Sequence, residues 1–177
     1  MNRTQAVMAR FDLAEYRLCR ELNRGAASRG LGLVMRVASR LGDGALWYLL
    51  LAALPAIYGA RALRPTLIMA ATGAAGLLIY KALKKTLRRE RPFIRHPGIT
   101  LAMPPLDRYS FPSGHTLHAV CFTWQAVAHF PALAWVLVPM AALIAASRVV
   151  LGLHYPSDVI AGAGVGAALA CAGMALA

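Results

Sequence analysis

Apolar residues gather in five runs along the chain, at about 45–63, 66–83, 115–130, 132–152 and 157–177. Each is close to the roughly 20 residues that carry a helix across a bilayer core. Pro55 breaks the first run, and His118 and His129 punctuate the third; a tilted helix or an interfacial end accommodates either. Ahead of them, residues 5–24 place Val7, Phe11, Leu18 and Leu22 at helical spacing, with Arg10, Arg17, Arg20 and Arg24 on other faces. That pattern predicts an amphipathic helix at the membrane interface or packed on the bundle. A second such segment spans 28–41, after a Gly-Ala-Ala-Ser break, and Gly42-Asp43-Gly44 turns the chain into the first long run. The prediction is an all-α integral membrane helical bundle of five transmembrane helices, or six, with an N-terminal amphipathic segment. The boundary falls between 1–43, the interfacial helices, and 44–177, the transmembrane domain.

Between the second and third runs lies the longest polar interval, residues 84–115, rich in proline and base. A loop of that length in a compact protein usually carries function. The short connections at 61–65 and near 131 fall on the opposite face. The long interval, the link before the last run and the N-terminus therefore share one side.

Composition sharpens this picture. Hydrophobic residues make up 59% of the chain and mean hydropathy is +0.55, above the range of soluble domains. Nineteen Lys and Arg face seven Asp and Glu, nearly all outside the apolar runs, so an anionic partner is expected. Phosphate-bearing lipid and the membrane surface fit; the lack of a soluble basic domain disfavours nucleic acid. Cys19, Cys121 and Cys171 are isolated and read as small apolar residues. The first apolar run starts too late for a signal peptide and lacks a small-residue cleavage pattern, so none is expected. Gly162 and Gly166 stand at the spacing that lets helices approach closely, within the bundle or in a homodimer.

Three stretches carry chemistry. His154 and Asp158 are four residues apart at a helix start, where the carboxylate can sit beside one imidazole nitrogen and leave the other free to react. An Asp capping the last helix beside an interfacial His is the plainer alternative. His115 adds a second imidazole, and Lys84, Arg91 and Arg148 add cations near membrane depth, where charge is costly and marks function. Taken alone, Lys84 and Arg91 read as a snorkelling flank like Lys81, Lys85, Arg88, Arg89 and Arg95. Together, planar guanidinium forks, a mobile ammonium and two histidines suit phosphoryl transfer. In the stretch FPSGHT at 111–116, Gly114 allows close backbone approach to an anion, Ser113 offers a hydroxyl and an N–H, and the helix that follows adds its positive end. His115 and His118 are one turn apart, but the Glu of an HExxH metal motif is missing, so no metal site is assigned.

The stretches Lys84 to Arg91-Pro92, Pro112-Ser113-Gly114-His115 and Ser147-Arg148 to His154 to Asp158 resemble the three signature motifs of the type 2 phosphatidic acid phosphatase superfamily, in order and spacing. The resemblance covers residues 84–158 and leaves the first forty residues without family information. It implies a cofactor-free, metal-independent mechanism. His154 would attack phosphorus to give a phosphohistidine, Asp158 would orient His154, and His115 would protonate the leaving oxygen and then help activate water. Lys84, Arg91, Arg148, Ser113 and the Gly114 amide would hold the phosphate oxygens. The resemblance further implies a lipid-phosphate substrate, with a polyprenyl (undecaprenyl) diphosphate favoured over phosphatidylglycerophosphate or phosphatidate, and a bacterial cytoplasmic membrane with the site facing outward. By the positive-inside rule the basic face would instead be cytoplasmic, but several of its cations belong to the phosphate site. Phosphoryl transfer to a second lipid, a soluble vanadate haloperoxidase and a catalytically silent lipid-binding scaffold are the competing readings; five apolar runs argue against the haloperoxidase, and the intact histidine and aspartate set against the scaffold.

Overall fold

The computed structural model describes residues 3–176, with side chains from Arg10 onward, so the side chain of Val7, counted on the apolar face of the first helix, lies outside what is described. The elements are α1 (Arg3–Asn23), α2 (Arg29–Leu41), α3 (Ala45–Tyr58), α4 (Leu63–Leu87), the short α5 (Pro92–Arg95), α6 (Gly114–His129), α7 (Ala134–Val150) and α8 (Pro156–Met174). Among the described residues there is no strand, only an isolated bridge between Glu90 and Tyr109. Local chemistry sets the boundaries. Ser28 and Ser113 cap α2 and α6 through their side chains. Pro156 occupies the first turn of α8, where its missing N–H costs nothing. Gly59 ends α3 at φ +66°, a conformation that a side chain would strain.

Among the described residues, three helical stretches are long and apolar enough to cross a membrane: Ala45–Leu87, Pro131–Val150 and Pro156–Met174. The first is broken at Gly59 into α3 and α4, which pack on each other. The third predicted run forms α6, only 16 residues long. It is the central helix, packed on α4, α7 and α8, with Leu117, Ala119, Cys121 and Phe122 buried. A helix surrounded by other helices satisfies its backbone internally and needs no long lipid-facing exterior. The outer surface carries Leu49, Ile57, Leu67, Leu78, Trp135 and Ile160, each at least two-thirds exposed, as an apolar solvent allows.

The α6–α8 contact explains the paired glycines. A Cβ on Gly162 would stand 2.5 Å from the Ser113 carbonyl oxygen, and one on Gly166 would stand 2.4 Å from that of Leu117. Both glycines are thus taken up within the chain. Of the two uses offered for the pair, close packing within the bundle is the one these contacts make.

The N-terminal helices are docked on the bundle. α1 packs on α7 and α8, and α2 packs on α7. Asn23 clamps the loop: its side chain donates to the carbonyls of Thr100 (3.0 Å) and Val150 (2.9 Å) and accepts from the Thr100 N–H (2.8 Å). Phe11, Leu18 and Leu22 on α1, with Leu33, Val34 and Val37 on α2, remain 41–57% exposed, the apolar face that the periodicity predicts. Cys19, Cys121 and Cys171 are free thiols, the first two buried. At one end of the bundle Tyr58 stacks on Phe130, joining the two short connections. The long polar loop, the α2–α3 turn and the α7–α8 turn meet elsewhere, around a shared cavity.

Candidate active site

The α7–α8 turn is built around one carbonyl. The oxygen of Arg148 accepts from the N–H groups of both Leu153 and His154 at 3.0 Å, and Gly152 supplies φ +76°. A Cβ on Gly152 would meet the Thr100 carbonyl at 2.7 Å, so the turn also presses on the long loop. This places His154, only 1% exposed, beside the last turn of α7. Its Nε2 lies 3.2 Å from Arg91 Nη1. A guanidinium can only donate, so Nε2 accepts and the ring proton belongs on Nδ1. Nδ1 faces Asp158 Oδ2 at 3.6 Å and has no hydrogen-bond partner. Asp158 is fully buried, accepting from the Tyr155 N–H (2.8 Å) and from Arg89 Nη1 (2.6 Å).

The cations converge from three elements. Lys84, in the last turn of α4, and Arg91, at the start of α5, close on one carboxylate, Asp107. Lys84 Nζ donates to both oxygens at 2.7 Å and Arg91 Nη2 donates to Oδ1 at 2.8 Å. Arg91 also donates to the carbonyls of Asp107 (3.0 Å) and Leu153 (2.7 Å). Arg148, 2% exposed, donates from Nη1 to Ser39 Oγ, and its Nε has no partner. Burial, and after it Arg148, Arg91 and Lys84, push the His154 imidazole well below the ordinary histidine range. Burial works against the charged form of Asp107, but Lys84 and Arg91 outweigh it and hold that carboxyl below its usual range.

His115 follows the N-cap Ser113 on α6, and its Nε2 lies 2.5 Å from Asp43 Oδ1 on the α2–α3 turn. Lys84, Arg91, Gly114, His115, Arg148 and His154 all line one cavity of about 340 Å³. Its other wall is apolar: Trp47, Tyr48 and Leu51 of α3, Ala70, Ala74 and Leu77 of α4, and Phe122 of α6. Ser113 and Asp158 lie behind it, fully buried. Ser113 is engaged within the chain. Its N–H donates to the Asp158 carbonyl of α8 (3.0 Å), and its Oγ, the cap acceptor for Thr116, lies 3.0 Å from Thr116 Oγ1, so a tertiary bond occupies one group and helix capping the other. His118 does not pair with His115; its ring nitrogens face the carbonyls of Gly114 and Gly73.

Four polar residues at the site carry no motif signal in the sequence. Asp107, Asp43 and Ser39 belong to none of the three stretches, and Arg89 reads as one more base in a flank. Arg89 in fact bridges Asp158, Ser157 (2.7 Å) and Glu15 of α1 (2.6 Å). The only usable signal is the scarcity of acids: with seven in the chain, those within reach of the motifs invite suspicion.

A cavity that gathers three cations and two histidines with apolar side chains has the chemistry that a lipid phosphate requires. The family model described as the PAP2 superfamily matches residues 62–177, and the chain belongs to that superfamily. A decaprenylphosphoryl-5-phosphoribose phosphatase of Mycobacterium tuberculosis is 36% identical over 140 residues, 78% of this chain and 76% of the relative. An undecaprenyl-diphosphatase of Bacillus subtilis is 36% identical over 89 residues, 50% and 46% of the two chains. Among solved structures, LpxE from Aquifex aeolicus superposes with a TM-score of 0.77 at 25% identity, covering 90% of this chain and 93% of the other. The protein is a helical integral membrane member of this lipid phosphatase family.

Proposed function

We propose that the protein hydrolyses a polyprenyl-linked phosphate, without a metal, through a phosphohistidine. The observation that carries this reading is the single cavity in which three cations and two histidines face an apolar wall formed by α3 and α4. His154 is the nucleophile: its Nε2 lone pair faces the cationic cluster, and Asp158 stands on the Nδ1 side to fix the tautomer and compensate the charge that develops. Lys84, Arg91 and Arg148, with the Gly114 amide, hold the phosphate oxygens and stabilise the five-coordinate transition state. The unpartnered Arg148 Nε gains its acceptor from the substrate. Ser113 joins them only if its cap bond is exchanged. His115 protonates the leaving oxygen. The apolar wall takes the first isoprene units.

A polyprenyl diphosphate is the favoured headgroup, in keeping with the Bacillus relative. A phosphosugar carried on a polyprenyl phosphate is the second reading, favoured by the longer match to the mycobacterial relative. The site faces outward from the bacterial cytoplasmic membrane, where such carriers are recycled; labelling of a cysteine placed at 61–65 only from outside would reverse that orientation.

The test is phosphate release by purified protein in excess EDTA. The substrates are a polyprenyl diphosphate, a polyprenylphosphoryl phosphoribose, phosphatidylglycerophosphate and phosphatidate, with His154→Ala as control. Release from a polyprenyl substrate, lost in the variant, is the expected result. Preference for a glycerolipid would overturn the polyprenyl reading, and strict dependence on added metal would overturn the mechanism.

A further inference from the structure

The second histidine has its own carboxylate. Asp43 Oδ1 lies 2.5 Å from His115 Nε2, though 72 residues separate the two in sequence. The Gly42-Asp43-Gly44 turn is shaped for this contact. A Cβ on Gly42 would stand 3.0 Å from His115 Cδ2 and 2.9 Å from Ile144 Cγ2, so the ring can approach only because residue 42 has no side chain. Gly44 holds φ +136°, which lets the chain turn directly into α3. The turn lies N-terminal to the stretch that the family model matches, and none of the three motifs includes it.

Position gives the pair its meaning. Asp43 and His115 both line the cavity, together with the cations and with Trp47 and Tyr48 of α3. With phosphate oxygens on Lys84, Arg91 and Arg148 and the lipid tail along α3, the leaving oxygen lies between them, beside His115. We propose that Asp43 is the positioning residue for proton delivery to the leaving group: by binding His115 Nε2 it fixes the plane of the ring and leaves the other nitrogen, Nδ1, to carry the proton to the spot where that oxygen departs. This rests on the phosphoryl-transfer reading above and adds a residue to it. In the step concerned, His154 Nε2 forms the P–N bond, the P–O bond to the leaving group breaks with its electron pair staying on oxygen, and that oxygen takes the His115 proton. Water then attacks the phosphohistidine: a P–O bond forms, the P–N bond breaks with its electron pair returning to His154 Nε2, and one water proton passes to His115. The groups facing His115 are Asp43 from the turn, Arg148 from α7, Lys84 from α4 and, across the cavity, His154 and Arg91.

The experiment compares kcat/KM across phosphate esters that the wild type turns over, from alkyl esters, whose oxygen needs a proton to leave, to aryl esters such as p-nitrophenyl phosphate, whose oxygen does not. General acid assistance contributes roughly 10²–10⁴-fold. Asp43→Asn, an isostere, is expected to lose on the order of 10²-fold on alkyl esters and less than about fivefold on the aryl ester. Gly42→Ala, which displaces the ring instead of removing the carboxylate, gives the same asymmetry. An equal loss on both ester classes in both variants, or no loss, overturns the role of Asp43. Failure of the parent reading looks different: His115→Ala would then show no dependence on leaving group, or His154→Ala would keep activity on every ester.

Discussion

Arg89 Nη1 lies 2.6 Å from Asp158 Oδ1, and the second arm of the same guanidinium reaches Glu15 on α1 at 2.6 Å. One side chain from the polar loop therefore ties the N-terminal helix to the carboxylate behind His154. Asp158 is fully buried, so removing Arg89 leaves a buried charge with one backbone N–H donor. A hydrogen bond to a charged group contributes about 1.5–3 kcal/mol. Arg89→Ala is expected to lower kcat/KM roughly 10- to 100-fold, with Arg89→Lys intermediate because an ammonium lacks the fork that spans both acids. Steady-state kinetics on the identified substrate checks this; an unchanged Arg89→Ala enzyme would assign the ion pair to packing alone.

Asp107 occupies two of the cations proposed to hold phosphate. Lys84 and Arg91 both donate to its carboxylate, so an incoming phosphate must compete with it. Asp107→Asn removes the competing charge and is expected to tighten inhibition by inorganic phosphate or vanadate by about tenfold, the equivalent of one charged hydrogen bond. Inhibition constants for wild type and variant test this, and weaker inhibition in the variant would show that Asp107 supports the cradle instead of competing for it.

The pH behaviour follows from His154, which lies in the α7–α8 turn. Burial and the surrounding cations lower its proton affinity, so the neutral ring, the form that the proposed nucleophile needs, persists below the ordinary histidine value of 6.5. The acid limb of kcat/KM is expected below pH 6.5, and a limb at or above that value would contradict the burial. Stability moves in the same direction. The unfolded chain takes up this proton near pH 6.5 and the folded chain refuses it, so the contribution is complete above that pH and is lost as pH falls. Unfolding in detergent between pH 7.5 and 5 measures it.

The glycines of α8 provide a packing test with an internal control. Gly162→Ala and Gly166→Ala each force a methyl against a carbonyl of α6, and overpacking of this kind costs about 1–3 kcal/mol. A methyl on Gly164 would meet nothing within 4 Å, so Gly164→Ala is expected to be neutral or slightly stabilising through helix propensity. Thermal midpoints of the three variants should separate by several degrees, at about 2–4 °C per kcal/mol for a chain of this size. Equal midpoints would mean that the α6–α8 contact is looser than these distances.

The sequence by itself determined the helical membrane class and the amphipathic character of α1 and α2, and it put forward eight residues for the site. Those features are local: hydropathic runs, 3.6-residue periodicity, and motifs whose members lie within a few turns of one another. Six of the eight, Lys84, Arg91, Gly114, His115, Arg148 and His154, indeed line one cavity, with Ser113 and Asp158 behind it. What only the tertiary structure decided is which charges face each other. Arg89 and Lys85 read alike in the flank, yet Arg89 bridges two buried acids while Lys85 projects to the surface. Asp43 and His115, 72 residues apart, meet because α2 and α6 both pack on α7 and a glycine admits the ring. Ion pairing depends on proximity through space and on how far water is excluded, and neither quantity is written in the order of residues along the chain.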